Sequence, residues 1–154
     1  MRDEWQLSDG VVTIRPPHAG DSATLVGGRD EEWSRWLGPG SDEPNPTACV
    51  LVADTIVGWV DYDPSPAWLN AGEVNVGYNV FARYRRRGYA TRAVLLLLQR
   101  LAFEDECRVA ILSIARGNDA SLRVAEKASF ALVDDAQTEL RFARSVPRIA
   151  ESES

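Results

Sequence analysis

At 154 residues and 17.0 kDa the chain has the size of one domain, large enough for a single core and too small for two. Hydrophobic residues at 45% and charged residues at 26% are the balance of an ordinary globular protein. The 17 basic against 23 acidic residues give a net charge of -6, which argues against sequence-independent nucleic-acid binding, and one histidine with two cysteines excludes a conventional zinc site, an iron–sulfur cluster or a disulfide scaffold.

The first residues lack the apolar stretch of a signal peptide, and the longest apolar run, residues 93–98, is far too short to span a membrane. Cys49 and Cys107 read as reduced thiols of a cytoplasmic chain. Residues 11–15 alternate and stop at Pro16-Pro17, the pattern of a first strand. His18, beside those prolines, reads as a surface loop residue. Asp21 precedes a short helix over 22–26, closed by Gly27-Gly28. Asp30 caps a second helix over 31–37, on which Trp33, Trp36 and Leu37 share a face. Residues 38–46 hold three prolines and two glycines and read as a long loop. Residues 48–53 and 56–63 form a hairpin about Asp54-Thr55, and residues 64–72 are a second loop. Val74, Val76, Tyr78 and Val80 alternate with Glu73, Asn75, Gly77 and Asn79, which predicts a two-faced strand. A long helix follows from Gly88 to about 103, then a short strand at 109–114, a helix from Asn118 or Asp119 to 128, and closing strands at 130–133 and 139–144. Helices interleaved with hairpin-linked strands predict an α/β (α+β) domain.

The basic residues are unevenly distributed. Lys127 is the only lysine, and Arg85, Arg86 and Arg87 stand in a row between the best strand and the longest helix. A helix start offers unpaired N–H groups and the positive end of the dipole, Gly88 lets the backbone approach a ligand, and guanidinium groups add charge. Together they suit a pyrophosphate. Neither the P-loop pattern nor the dinucleotide fingerprint is present.

Arg85-Arg-Arg-Gly88-Tyr-Ala90 resembles the acetyl-CoA motif of the GCN5-related N-acetyltransferases (GNAT), Arg/Gln-x-x-Gly-x-Gly/Ala, set between a strand and a long helix. Asn118-Asp-Ala-Ser121-Leu-Arg-Val-Ala-Glu-Lys127-Ala-Ser-Phe130 is similar to the second motif of that family. Val12-Thr-Ile-Arg-Pro16 and Val57-Gly-Trp59 add to the likeness, and Val-Gly-Tyr-Asn followed by Arg-Gly-Tyr-Ala-Thr is closest to the branch of ribosomal-protein N-terminal acetyltransferases. The resemblance spans residues 11–145, leaving 1–10 as an N-terminal segment and 146–154 as a flexible tail. It implies a mixed, mostly antiparallel sheet of about seven strands flanked by about four helices. It implies acetyl transfer from acetyl-CoA, as co-substrate, to a small amine or a peptide N-terminus by direct attack in a ternary complex. By the same resemblance Asn79 and Val80 hold the pantetheine arm. Arg85, Arg86, Arg87, Gly88, Tyr89, Ala90 and Thr91 hold the pyrophosphate, Asn118 contacts the pantetheine region, and Ser121 lies near the thioester or the pyrophosphate arm.

Two positions depart from the family pattern. Ser129 stands where the second motif has glycine, and Ala125 stands where many members have a tyrosine that protonates the leaving thiolate. Ser121 or water then serves the thiolate, or none is needed, since a thiol of pKa about 8.5 leaves readily. The alternative is a catalytically silent acetyl-CoA-binding or sensing module. Glu73 is the expected base, with Asp61 and Asp63 as rivals that could instead bind a cationic substrate. Trp36, Asp61 and Trp68 are expected to line the acceptor cleft, while Trp33 and Trp59 read as core. Neither nucleic acid, membrane nor metal is expected as a partner, and a homodimer is left open.

Overall fold

The computed structural model describes residues 4–148. Eight strands form one sheet: β1 (Leu7–Ser8), β2 (Val12–Arg15), β3 (Ala48–Val52), β4 (Thr55–Asp63), β5 (Glu73–Val80), β6 (Val109–Ala115), β7 (Ala131–Asp135) and β8 (Glu139–Ser145). Their spatial order is β1-β2-β3-β4-β5-β6-β8-β7. Every neighbouring pair is antiparallel except β5 and β6. The helices are α1 (Asp21–Gly27), α2 (Glu31–Trp36), α3 (Tyr89–Leu101) and α4 (Asp119–Lys127). The expected mixed, mostly antiparallel sheet with helices on its faces is observed. The strand missing from the sequence reading is β1, two residues whose turn into β2 is built by Asp9, which accepts the N–H groups of Val11 (2.9 Å) and Val12 (2.8 Å).

The two faces of the sheet are covered differently. On one, α3 buries Ala93, Val94, Leu96, Leu97, Leu98 and Leu101 against Val12, Ile14, Val50, Val60, Val74 and Val76, the wide stripe expected of a core helix. Helix α4 joins this core through Ala125 and its C-cap residue Ala128, both 0% exposed. On the other face Leu25 of α1 packs with Cys49 and Phe81, flanked by Trp59 and Tyr84. Val146, placed in the tail by the sequence reading, is buried, and its N–H donates to the Arg108 carbonyl at 2.8 Å. Residues 149–154 of that expected tail lie outside the described residues. Ser129 is left-handed at φ 64 and closes α4, with Phe130 N–H bonded to the Ala125 carbonyl (2.9 Å) and Ser129 N–H to that of Glu126 (3.1 Å). This helix ending favours glycine, which accounts for the family residue there.

Several carboxylates are held below their ordinary range. For Asp30 the leading cause is the hydrogen bond from Arg85; for Asp9 and Asp21 burial opposes the shift, but N–H groups and Arg92 or Arg15 outweigh it. A carboxylate with a depressed folded pKa contributes stability above its unfolded pKa and loses it as pH falls through the folded value. The melting temperature is therefore expected to hold from neutrality to about pH 4 and to fall below it. Thermal melts between pH 7 and pH 2 test this, and a curve flat to pH 2 contradicts it.

Candidate active site

The parallel pair β5–β6 is joined only where Glu73, Val74 and Asn75 face Val109, Ala110 and Ile111. Beyond that point residues 76–80 have no partner on β6, while their other edge stays paired to β4, Val80 lying opposite Gly58. The two strands therefore part, and a slot runs between them, flanked by backbone groups of β5 that no ladder uses. An extended amide-bearing ligand would complete that edge as a strand does.

The slot leads to the loop before α3. A short 3-10 turn at Ala82–Tyr84 precedes it, Arg86 and Gly88 are left-handed (φ 64 and 81), and Gly88 is the N-cap of α3 with no side-chain cap. The first N–H groups of the helix are thus left to a ligand or water. A left-handed residue followed by a helical one turns successive N–H groups toward one concavity, an anion-binding arrangement. A Cβ built on Gly88 meets nothing within 4 Å, so the space at this helix start is open, as an anion approaching the N–H groups requires. Arg86 and Arg87 are exposed beside it.

Arg85 does not present its side chain to that concavity as expected. Its Nε donates to the Val80 carbonyl (2.7 Å), and its terminal nitrogens donate to both oxygens of Asp30 (2.6 and 3.0 Å) and to Asn79 Oδ1 (3.3 Å). Asp30 in turn caps α2 by accepting Trp33 N–H at 3.0 Å. Arg85 thus fastens the loop to β5 and to α2, and the groups left open at the helix start are the uncapped backbone N–H groups, with Arg86 and Arg87 exposed beside them.

Strand alternation divides the remaining residues between two faces. Glu73, Asn75, Gly77 and Asn79 share a face with Asp63, Asp61 and Trp59 of β4, and across the slot with Ile111 and Ser113 of β6 and Glu139, Arg141 and Ala143 of β8. Ser113 donates to Glu139 Oε2 and Arg141 to Oε1, each at 2.8 Å. The Ser113 hydrogen bond, aided by Arg141, lowers the Glu139 pKa against a smaller opposing effect of burial, so this carboxylate is ionised at neutral pH. The Arg141 guanidinium lies 3.9 Å from the centroid of the Trp68 ring. Among the described residues, the buried side-chain polar atoms without a partner are Asn75 Oδ1, Asn79 Nδ2 and Arg141 Nε. All three belong to this face. Unpaired buried polar atoms are costly, and their concentration on one face marks it as a docking surface for a polar molecule.

The expected site residues fall as follows. Glu73 is on the same face as Asn75 and Arg141 but at the closed end of the β5–β6 pair. Its Oε1 accepts Asn70 N–H (2.9 Å) and its own N–H returns to the Asn70 carbonyl (3.1 Å), so it closes a turn. Asp61 Oδ1 accepts from Thr47 N–H (2.9 Å) and Thr47 Oγ1 (2.6 Å). Trp36 ends α2 with Arg35 over its ring, whereas Trp68 is exposed at the Arg141 cluster. Asn118 caps α4, its Oδ1 accepting Ser121 N–H at 3.4 Å. Ser121 lies on the opposite side from Glu73, beneath Tyr78, whose hydroxyl donates to Ser121 Oγ at 2.8 Å. Asn75, Tyr78, Glu139 and Arg141 were not singled out from the sequence. The alternation Glu139, Arg141 in β8 was a usable signal, but its neighbours come from other strands. Cys49 is buried with its thiol pushed up to about 11, chiefly by desolvation and then by Asp21, so it is inert. Among the described residues no helix is long and apolar enough to cross a membrane, and no group of three or more histidine, cysteine or acidic residues could hold a metal ion.

Comparison with known proteins agrees with this geometry. An acetyltransferase (GNAT) domain model matches residues 30–131. No curated protein sequence matches significantly. The fold is shared with a GNAT acetyltransferase from Bacillus anthracis (16% identity, TM-score 0.75, covering 92% of this chain and 98% of that one). It is shared with a probable GNAT acetyltransferase from Chromobacterium violaceum (24%, TM-score 0.69, covering 94% and 87%). It is also shared with the ribosomal L7/L12 α-N-protein acetyltransferase RimL solved with coenzyme A (14%, TM-score 0.74, covering 92% and 98%). With its slot beside β5, its glycine-led helix start and a domain match over most of its length, the chain belongs to the GNAT acetyltransferase family.

Proposed function

We propose that the protein transfers the acetyl group of acetyl-CoA to a primary amine, a small amine or a peptide N-terminus, by direct attack within a ternary complex. The observation that carries this reading is the slot between β5 and β6 leading to an open, uncapped glycine helix start. In this reading the domain expected over residues 11–145 also takes in β1 and Val146, and it works in the cytoplasm, where its two free cysteines stay reduced. The Val80 N–H, on the edge of β5 turned from β4, is offered to the pantetheine amides, while the Val80 carbonyl is held by Arg85 and the Asn79 backbone, expected to share this role, lies in the ladder to β4. The N–H groups from Arg86 to Thr91 receive the pyrophosphate, Arg86 and Arg87 add charge, and Arg85 keeps the loop in place. Asn118 and Ser121 border the arm from α4.

An amine must be neutral to attack, and a lysine-type amine has a pKa of about 10.4, an α-amine about 7.7–8.0. A carboxylate on the acceptor face has to take its proton or hold its charge first. Glu73 and Glu139 are both on that face. Glu139 is the better placed, because it sits on β8 across the slot, fixed by Ser113 and Arg141, whereas Glu73 is tied to its turn. Trp68, Asp61 and Trp36 form the rim against which a cationic acceptor packs. Ser121, on the other side of the slot, meets the departing sulfur, so base and thiolate partner act from opposite faces.

Incubation with acetyl-CoA and a panel of peptides, polyamines and aminoglycosides, read by thiol release, tests the reading. Glu139→Gln is expected to lower kcat about 100-fold, and Glu73→Gln by far less. A larger loss in Glu73→Gln returns the base to Glu73. Silence of the wild type on every amine, together with tight acetyl-CoA binding, supports the second reading, a silent cofactor-binding module. That reading rests on Ala125, buried in the core where family members place tyrosine.

A further inference from the structure

We infer that Tyr78 is a positioning residue for the leaving thiolate: its hydroxyl, donated across the slot to Ser121, turns the serine proton toward the departing sulfur. The inference rests on the proposed acetyl-transfer reading. Tyr78 belongs to the stretch of β5 that has parted from β6, and Ser121 to the first turn of α4, the helix that follows β6. Their 2.8 Å hydrogen bond therefore bridges the two sides of the slot. Tyr78 is the donor in this pair. A serine hydroxyl has one proton, so an oxygen that accepts from Tyr78 keeps that proton for another acceptor. Ser121 N–H is already bound to Asn118 Oδ1, which fixes the serine backbone as well.

Burial keeps Tyr78 a donor. Desolvation raises its pKa to about 12, so it stays protonated at neutral pH and its role in the pair does not invert. No proton needs to travel along the pair. The amine nitrogen forms a bond to the thioester carbonyl carbon, and the carbon–sulfur bond breaks with its electron pair leaving on sulfur. The acceptor-face carboxylate holds the proton lost by the amine, and the thiolate takes up a proton from water. Ser121 supplies a hydrogen bond to the developing negative charge, and Tyr78 keeps that hydroxyl aimed. Ser121 and Ala125 are four residues apart and so on one face of α4. The aromatic hydroxyl absent from α4 is thus present at the same slot, brought from β5.

The test follows the thiol of bound CoA, by thiolate absorbance against pH, in wild type, Tyr78→Phe, Ser121→Ala and the double variant. The thiol bound to wild type is expected to titrate below its ordinary value. Each single variant should raise it, and Tyr78→Phe should add nothing in the Ser121→Ala background. With an accepted amine, Tyr78→Phe should lower kcat about tenfold with the KM for acetyl-CoA unchanged, since the ring and its packing are retained. A bound thiol that titrates identically in wild type and Tyr78→Phe overturns the inference, as do additive effects of the two substitutions. A wild type that binds CoA with the expected titration and no turnover upholds the pair while removing the transferase reading. Failure to bind CoA removes both.

Discussion

Glutamate at position 88 is expected to leave the protein folded and without measurable affinity for acetyl-CoA. Gly88 holds φ 81 at the start of α3, and the space its Cβ would enter is empty of protein atoms within 4 Å. A side chain there meets no steric obstacle from the fold. It extends from the residue that starts the uncapped turn, next to the N–H groups proposed to receive the pyrophosphate. A carboxylate about 4 Å from a phosphate charge is repelled by about 4 kcal/mol at the effective dielectric of a protein surface. Two phosphate charges make that loss larger than a thousandfold in affinity. The backbone cost is smaller, about 1–2 kcal/mol for a side chain in left-handed geometry. The loop already tolerates one such residue in Arg86 at φ 64. Gly88→Ala separates the two contributions, because it carries the strain without charge or reach and should bind within about tenfold of wild type. Calorimetric titration of both variants with acetyl-CoA checks the prediction. An unchanged affinity in Gly88→Glu removes the phosphate from this loop.

What the sequence made legible was whatever a short window contains. The stripe of α3, the alternation of β5, the caps Asp30 and Asn118 and the arginine–glycine helix start are all local patterns, and each appears as expected. What escaped depends on distant segments. Arg85 reads as a phosphate ligand until Asp30 is brought to it from 55 positions away. Tyr78 reads as one apolar member of an alternating strand until Ser121, 43 positions on, meets its hydroxyl. Glu139 gains its meaning only through Ser113 and Arg141 on the neighbouring strand and its own. The slot itself is an absence of pairing beyond Asn75 and Ile111, and an unpaired stretch of β5 has the same alternation as a paired one. Where Glu73 stands relative to that unpaired edge was illegible for a related reason. Period two gives the face of a strand correctly and says nothing of where along it the neighbour departs.

Alanine at position 58 should do the greatest damage to the fold of any single methyl group added near the site. Gly58 lies in β4 opposite Val80, beside a register shift where β3 steps from Val50 to Leu51. A Cβ there would stand 2.1 Å from the Asn79 carbonyl oxygen and 2.9 Å from the Val80 Cα. Both obstacles are backbone, so no rotamer change relieves them, and β5 has to move away from β4. Overpacking of this kind costs about 3 kcal/mol or more, a large part of the 5–15 kcal/mol that a domain typically holds. The melting temperature is expected to fall by about 10 °C. The displaced residues are the ones whose backbone borders the slot, so acetyl-CoA affinity should fall even well below the melting temperature. Gly77→Ala is the control, since its Cβ would meet only the Trp59 ring at 3.9 Å, on the same strand pair. If Gly58→Ala melts and binds like Gly77→Ala, then β4 and β5 can separate there at little cost. The edge offered to the pantetheine arm would then be set by the ligand, with no need of the close backbone approach that glycine permits.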